Sequence, residues 1–355
     1  MSELSRDAHP ASGVAARREQ LGLSQAVLAC RAGVSRATVS AVELGKASPS
    51  VTAALALASA LDASVEELFG NRRDDDHDIS WVWSPPAGEN RAWEVCDPTR
   101  GRRLYPVEAL DLNPLPHDMV LGSAGLVRRE GTPPPTLTLA TCDPAARVLA
   151  NAFEDVVGVR MLCFPRSSQL ALELLGQDRV DLAGVHAATV EDPEANVRRV
   201  RELLGPGWLL VRAAGWESGI VSRDASRRWL HPRQPSPRCQ WAMRESGSVA
   251  RDTLDQLLEG APAMGREVAG HRQAAEAVGA GWADAAVTLR LCAAGLGLPF
   301  TRLRNELIDL VFPAARLSDR RFRNLVALLQ SAAWRQLASD LPGYDGRDAG
   351  AVFQT

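Results

Sequence analysis

Small and branched apolar residues recur at helical spacing through the first seventy positions, and then the pattern changes to alternation. The spacing predicts a first helix from near Ser12 to Leu21, with Val14, Arg18 and Leu21 on one face and Gly22 ending it. Ser24 is placed to cap a second helix, Gln25 to Ala32, whose Leu28, Ala29 and Ala32 face inward. Gly33 supplies a permissive turn plugged by Val34, and Ser35 caps a third helix, Arg36 to Leu44. In that helix Val39 and Val42 are core, leaving Arg36, Ala37, Ser40 and Ala41 outward. A fourth helix, Thr52 to Leu61, is expected to bury Leu55, Ala58 and Leu61, and Ser64 with Glu67 makes a capping box for a short fifth.

The next stretch is different. A charged run, Asn71 to Asp78, precedes alternating Ile79, Trp81 and Trp83. Ala92–Cys96 and Arg102–Val107 flank a turn at Asp97 to Gly101, which predicts a hairpin in a small β region whose core takes Trp81, Trp83 and Trp93. From Thr132–Pro135 onward, apolar strand-like runs alternate with helical patterns. They are Leu137–Thr141, Arg160–Phe164, Val180–Val185, Trp208–Ala213, Gln240–Met243 and Ala283–Thr288, with helices between. That rhythm predicts parallel strands with crossover helices, arranged as two α/β lobes of similar size joined by a crossing strand. The chain is therefore multidomain. An all-α helix-turn-helix domain occupies 1–70, a linker and β region 71–133, a two-lobed α/β domain 134–345 and a tail 346–355.

Composition narrows this only slightly. The hydrophobic share of 46% and the net charge of -3 are those of an ordinary soluble chain, without the basic excess of a wholesale nucleic-acid coat. No apolar run approaches the roughly 20 residues needed to span a bilayer, and the first residues lack a secretory apolar core, so a cytoplasmic protein without membrane contact is expected. The six cysteines have no CxxC spacing and are expected as free thiols. Charge is distributed unevenly: Arg17, Arg18, Arg31, Arg36 and Lys46 outnumber Glu19 and Glu43 between Ser12 and Pro49. A locally positive module suits a nucleic-acid partner.

The run LSQ..LA..AGVSR.TVS..E.GK..PS, within about Gly13 to Gly70, resembles the Cro/repressor-like (XRE) helix-turn-helix family. The resemblance implies that the third helix enters the major groove of double-stranded DNA while the second helix sets its N-terminus on phosphate. By position Gln25 then contacts backbone, Arg36, Ala37 and Ser40 approach base edges, and Thr38 and Lys46 contact phosphates, with Ser35 at the same helix start. It further implies a homodimer on a pseudo-palindromic operator.

The segments CDPAARVLA (from Cys142), DLAGVH (from Asp181), ESGSVARDTLDQLL (from Glu245), AVGAGWADAAV (from Ala277), NELIDLVFP (from Asn305) and LPGYD (from Leu341) together resemble the periplasmic-binding-protein-like domain, type II. That domain is found fused to helix-turn-helix regulators and to some molybdopterin-biosynthesis proteins. The resemblance implies a ligand cleft between lobes, at strand C-termini and helix N-termini, places suited to anions. Four loops qualify: Thr141, Cys142 and Asp143; Arg166, Ser167 and Ser168; Gly184 to His186; and Arg244 to Arg251, with Ser246, Gly247 and Ser248. Arg290 adds charge, and Trp216 is a candidate wall. Where the family commonly carries Asn-Arg-x-x-Gly-Ser-Gly-Thr-Arg, this chain has Met243 to Arg251 as MRESGSVAR, so part of the polar cradle is lost.

These readings converge on a one-component DNA-binding regulator modulated by an anion or small metabolite, with no cofactor, no assigned metal site and no enzymatic activity. GxSxG, HExxH, P-loop and Rossmann signatures are lacking. Two alternatives stand beside it. One is a binding-protein fold used only for dimerisation or partner docking. The other is a soft-metal or redox sensor built on Cys142, His186 and Cys163, against the simpler reading of those cysteines as buried core. His77 with Asp74 to Asp76 matches no known metal loop.

Overall fold

The computed structural model describes residues 13–44, 46–47, 49–65, 68, 80–85, 90–97, 99–108, 117–122, 125–129, 133–223, 230–231, 234–235 and 239–355. The linker Asn71–Asp78 and the Glu67 end of the expected capping box lie outside them. The chain divides into two compact units, Met1–Ser80 and Trp81–Thr355. No described helix is long and apolar enough to cross a membrane.

Among the described residues the first unit holds α1 (Gly13–Gln20), α2 (Gln25–Ala32), α3 (Arg36–Glu43) and α4 (Val51–Leu61). Each of the last three starts on a serine whose hydroxyl accepts the amide three residues on: Ser24 from Val27, Ser35 from Thr38 and Ser50 from Ala53. Gly33 closes α2 at φ +63°, the left-handed conformation that permits the tight turn into α3. Val14, Leu28, Ala29, Val39, Val42, Leu57, Ala58 and Leu61 form the core. Two expectations fail. Leu55 is 58% exposed, because the inward stripe of α4 begins at Ala54 and runs through Leu57, Ala58 and Leu61 at i, i+3, i+4 and i+7. Leu21 is 42% exposed, since the chain has already left α1 when it reaches that position.

The second unit opens with a five-stranded sheet of β1 (Ser80–Trp81), β2 (Arg91–Asp97), β3 (Gly101–Pro106), β4 (Met119–Gly122) and β5 (Gly125–Arg128), in the order β1-β3-β2-β4-β5. The expected hairpin is present, with Asp97 opposite Gly101. This sheet shares a core with the lobe that follows: Trp93, Val95, Tyr105 and Val107 pack with Leu162 and Phe164, and the Tyr105 and Phe164 rings stack at 5.4 Å. Of the expected tryptophans, Trp93 is buried, while Trp81 and Trp83 are half-buried.

The main sheet contains β6 (Thr136–Thr141), β7 (Arg160–Pro165), β8 (Leu182–Thr189), β9 (Trp208–Ser222), β12 (Gln240–Met243), β13 (Met264–Glu267), β14 (Ala285–Leu289) and β15 (Phe300–Pro313). Their order is β13-β12-β14-β9-β15-β8-β6-β7. A two-residue pair, β10 (Leu230–His231) with β11 (Gln234–Pro235), stands apart. The strands β16 (Tyr344–Asp345) and β17 (Val352–Gln354) pair with β9, so the segment taken as a tail ends as a strand. The first lobe is β6 to β8 with α5 (Ala146–Val157), α6 (Ser168–Gly176) and α7 (Ala195–Leu204). The second is β12 to β14 with α8 (Val249–Leu257), α9 (His271–Gly279) and α10 (Arg290–Ala294).

Two long antiparallel strands, β9 and β15, run through both lobes, pairing from Phe300 with Val221 to Pro313 with Trp208. The strand expected over Trp208–Ala213 is longer than its apolar run. Paired on both edges, the strand continues to Ser222. After β15, α11 (Arg320–Leu329) and α12 (Ala332–Ser339) return to cover the first lobe.

The β2–β3 turn is tied to α11 through Asp97, whose carboxylate accepts from Thr99 and from Arg321 at 2.8 Å. Burial alone would raise its pKa; the hydrogen bonds from Thr99 and Arg321 and the nearby Arg316 charge hold it well below the ordinary value. A depressed carboxylate contributes stability above about pH 4, its unfolded value, and loses that contribution as pH falls towards the native value. Asp97→Asn should therefore cost about 1.5–3 kcal/mol at neutral pH. In urea unfolding run at decreasing pH, the gap between variant and parent should close in acid.

Candidate functional site

In the first unit, α3 presents Arg36 and Ala37 exposed and Thr38 and Ser40 half-buried, beside exposed Ser35 and Lys46. The Ser35 and Thr38 hydroxyls are 2.8 Å apart. Gln25 is held: its amide donates to Glu43 at 2.8 Å, and Glu43 also receives Arg18 at 2.6 Å. This bracket fixes the start of α2 against the end of α3, which sets the angle between the two helices of the motif.

In the second unit, the expected cleft loops meet a different environment from the one their residue types suggest. Arg166 makes two bonds to Glu108 (3.0 and 2.5 Å) and lies over the Trp83 ring. Arg244 makes two to Glu245 (2.8 and 2.9 Å), and Arg251 two to Asp255 (3.0 and 3.1 Å). Arg290 pairs with Glu217 at 2.8 Å. All four arginines thus have a carboxylate of their own. Ser167 and Ser248 act as helix caps, accepting from Leu170 and Arg251. Ser168 Oγ is buried without a partner, whereas Ser246 and Gly247 are exposed, the latter at φ +81°. A Cβ on Gly247 would lie 3.1 Å from Gln169 Oε1, so this second-lobe loop rests against the start of α6 in the first.

The residues that do converge are Cys142, His186 and His271. Cys142 follows β6, and His186 lies within the adjacent parallel strand β8. The Gly184–His186 segment is therefore strand and not loop, a correction that follows from its pairing with β15 as far as Thr189. Gly184 is required there, since a Cβ would meet Thr141 Oγ1 at 2.2 Å. His271 is the first residue of α9, in the other lobe. One ligating atom from each of the three lies within 4.8 Å of the others.

The surroundings of these side chains are fixed. His186 Nδ1 is 3.0 Å from Glu306 Oε2 in β15, and Glu306 also accepts from Trp216 Nε1 (2.9 Å) and Arg304 Nε (2.8 Å). Trp216, expected as a cleft wall, is buried with its ring 5.0 Å from the imidazole. Burial alone would lower the His186 pKa; contact with Cys142 and with Glu306 overcomes it and holds the value at about 10. Glu306, which burial would raise, is held down to about 2 by His186 and Arg304. His271 is pushed well below its ordinary value by burial and by the charges of Arg244 and His186. Its neighbour Thr288 donates to the His271 carbonyl at 2.9 Å and lies 3.4 Å from Nδ1.

A cavity of about 270 Å³ opens beside this group, lined by Thr141, Cys142, Asp143, Cys163, His271 and Glu276 among others. Asp143 turns its carboxylate to the Ala145 amide (2.8 Å) and to the Tyr344 hydroxyl (2.6 Å), so it closes the wall instead of facing the cavity as a free anion. Cys163 hydrogen-bonds the Ala146 carbonyl, and burial pushes its thiol up to about 12. His271 and Glu306 escaped the sequence reading. Neither stands at a recognisable spacing from Cys142 or His186: Glu306 comes in on β15, which crosses between the lobes, and His271 on the helix start that the second lobe sets there.

A two-lobed α/β fold with two crossing strands and a polar cluster between the lobes defines a binding domain, and the helix-turn-helix of α2 and α3 defines a DNA-binding one. Residues 150–330 match the PBP superfamily domain and residues 14–68 the helix-turn-helix model. The first match covers slightly more than half of the chain, which belongs to the PBP superfamily domain family and carries a helix-turn-helix module at its N-terminal side. None of the curated proteins compared with the chain matches it. Among solved structures it is similar to a histidine kinase sensor domain with similarity to periplasmic binding proteins (13% identity, 59% of this chain and 96% of that one, TM-score 0.42). It is also similar to the regulatory domain of MetR, a LysR family regulator from N. meningitidis (11% identity, 59% and 97%, TM-score 0.43). A third is the ancestral amino acid-binding protein AncCDT-1 (14% identity, 58% and 95%, TM-score 0.41).

Proposed function

We propose that this protein is a transcriptional regulator, dimeric on a pseudo-palindromic operator, whose occupancy of DNA changes when a small ligand is held between the lobes. The observation that carries the reading is the group of Cys142, His186 and His271, drawn from both lobes, with Cys142 and His271 at the edge of a cavity. A ligand touching both lobes favours their closed arrangement by its difference in affinity for the two, and that difference is available to shift DNA binding. The pairing of Arg166, Arg244 and Arg251 with carboxylates speaks against a molybdate-type oxyanion, because an incoming anion must first displace those partners.

The test has two parts. Duplexes selected from a random library by the full chain should converge on an inverted repeat; failure to enrich any sequence overturns the DNA half. A ligand panel screened by thermal melting should reveal a stabiliser, worth about 2.7 kcal/mol at 100 times its Kd. The same compound must change affinity for the selected duplex.

A further inference from the structure

We infer that Cys142, His186 and His271 form a site for a transition-metal ion of the Zn(II) class, coordinated from both lobes at once. The inference names the effector class of the regulator proposed above, and its regulatory half rests on that reading. One sulfur and two imidazoles suit a borderline or soft ion and do not suit Mg(II) or Ca(II), which take oxygen donors. Three protein donors with room beside them match the pattern of a metal site that keeps a fourth position for an exogenous ligand. The adjoining cavity of about 270 Å³ supplies that room.

The donors are also oriented for the task. With Nδ1 of His186 directed at Glu306, its Nε2 is the atom available to an ion, in the carboxylate–histidine–metal arrangement that fixes the tautomer and strengthens the donor. His271 is set the same way. The Thr288 hydroxyl spends its proton on the His271 carbonyl, so towards Nδ1 it acts only as an acceptor, which keeps the Nδ1 proton in place and leaves Nε2 bare. Coordination needs a bare His186 Nε2 and a Cys142 thiolate, so binding releases to solvent whatever protons those two atoms carry. A tetrahedral ion with bonds of about 2.0–2.3 Å wants its donors roughly 3.5 Å apart. Donor atoms within 4.8 Å of one another are a small lobe adjustment from that spacing. Because Cys142 and His186 belong to the first lobe and His271 to the second, an ion held by all three ties the lobes together.

The experiment is a Co(II) titration of the reduced, metal-stripped full chain, followed by Zn(II) competition. The expected result is one ion per chain, with a thiolate-to-cobalt charge-transfer band and the intense visible bands of a tetrahedral centre. Cys142→Ser should abolish the charge-transfer band, His271→Ala should weaken binding at least tenfold, and Glu306→Gln about 10–100-fold through the lost support of His186. Cys30→Ser, an exposed thiol elsewhere, should change nothing. A missing band, or one that survives Cys142→Ser, overturns the site. Should that variant fail to fold, the parent chain decides: Zn(II) must protect Cys142 from alkylation, and equal labelling with and without metal overturns the site. Affinity for the selected duplex, measured with metal and with chelator, separates the two claims. A metal-loaded chain with unchanged DNA affinity overturns the regulatory half and leaves the site standing. A chain that binds no metal but responds to another compound overturns the site and leaves the regulator standing.

Discussion

Asp309→Ala should lose about 3–5 kcal/mol of stability in urea unfolding, the largest effect expected of any single substitution considered for this chain. Asp309 in β15 faces Arg212 in β9, where the two strands cross the first lobe, and their side chains are 0% and 3% exposed. The pair is completed by Asn196, whose amide donates to Asp309 at 2.8 Å and whose carbonyl receives the Ala188 amide. Removing the carboxylate leaves a buried guanidinium against the Phe353 ring without its charged partner. The pair need not be strongly stabilising in itself. Joint replacement, Arg212→Met with Asp309→Leu, should recover most of the loss, since desolvation of both charges is then avoided. A double variant as unstable as the single one would show that Arg212 matters mainly through its packing over the Phe353 ring, 5.1 Å away.

The second large effect concerns DNA. Arg36→Ala should weaken binding to a selected duplex by about 5- to 150-fold, equivalent to about 1–3 kcal/mol for a bidentate contact with a guanine edge, and should relax preference at that base pair. The exposure of Arg36 at the first turn of α3 leaves its guanidinium free to do this, and its removal touches nothing in the core. Lys46→Ala should act differently. It should weaken all sequences nearly equally and lower the salt dependence of binding by about one counterion. Unchanged affinity and preference in Arg36→Ala, measured by fluorescence anisotropy, would remove α3 from the groove.

The helix-turn-helix motif was legible almost to the residue, because its turn is specified locally: Ser24 and Ser35 mark starts, and Gly33 marks a stop. The phase of α4 was missed, in a run so rich in alanine and leucine that several inward stripes are possible, and so was the end of α1, which stops before Leu21. The alternation of strand and helix in the second unit was legible for the same reason, to within a few residues at most boundaries. What could not be read was anything decided across the sheet. The length of β9, the crossing of β15 and the inclusion of residues 352–354 depend on partners a hundred residues away. The site follows that division. Cys142 and His186 could be suspected as ends of neighbouring strands, while His271 and Glu306 arrive through long-range pairing. The arginines misled, because their charge is visible in the sequence and the carboxylates that satisfy them are not assigned by it.

One such pairing bears on the order of events during synthesis. The last strand, β17, joins β9 beside Leu209, Leu210 and Val211, and the Thr355 amide bonds the Trp208 carbonyl. The first lobe thus waits for residues made well after its own strands, whereas the core of α1 to α4 closes through contacts made within about the first sixty. A nascent chain therefore exposes a finished DNA reader attached to an unfinished sensor. Ribosome-bound chains stalled before residue 352 and after residue 355, probed by brief proteolysis, should differ in the first lobe and be alike in the reader.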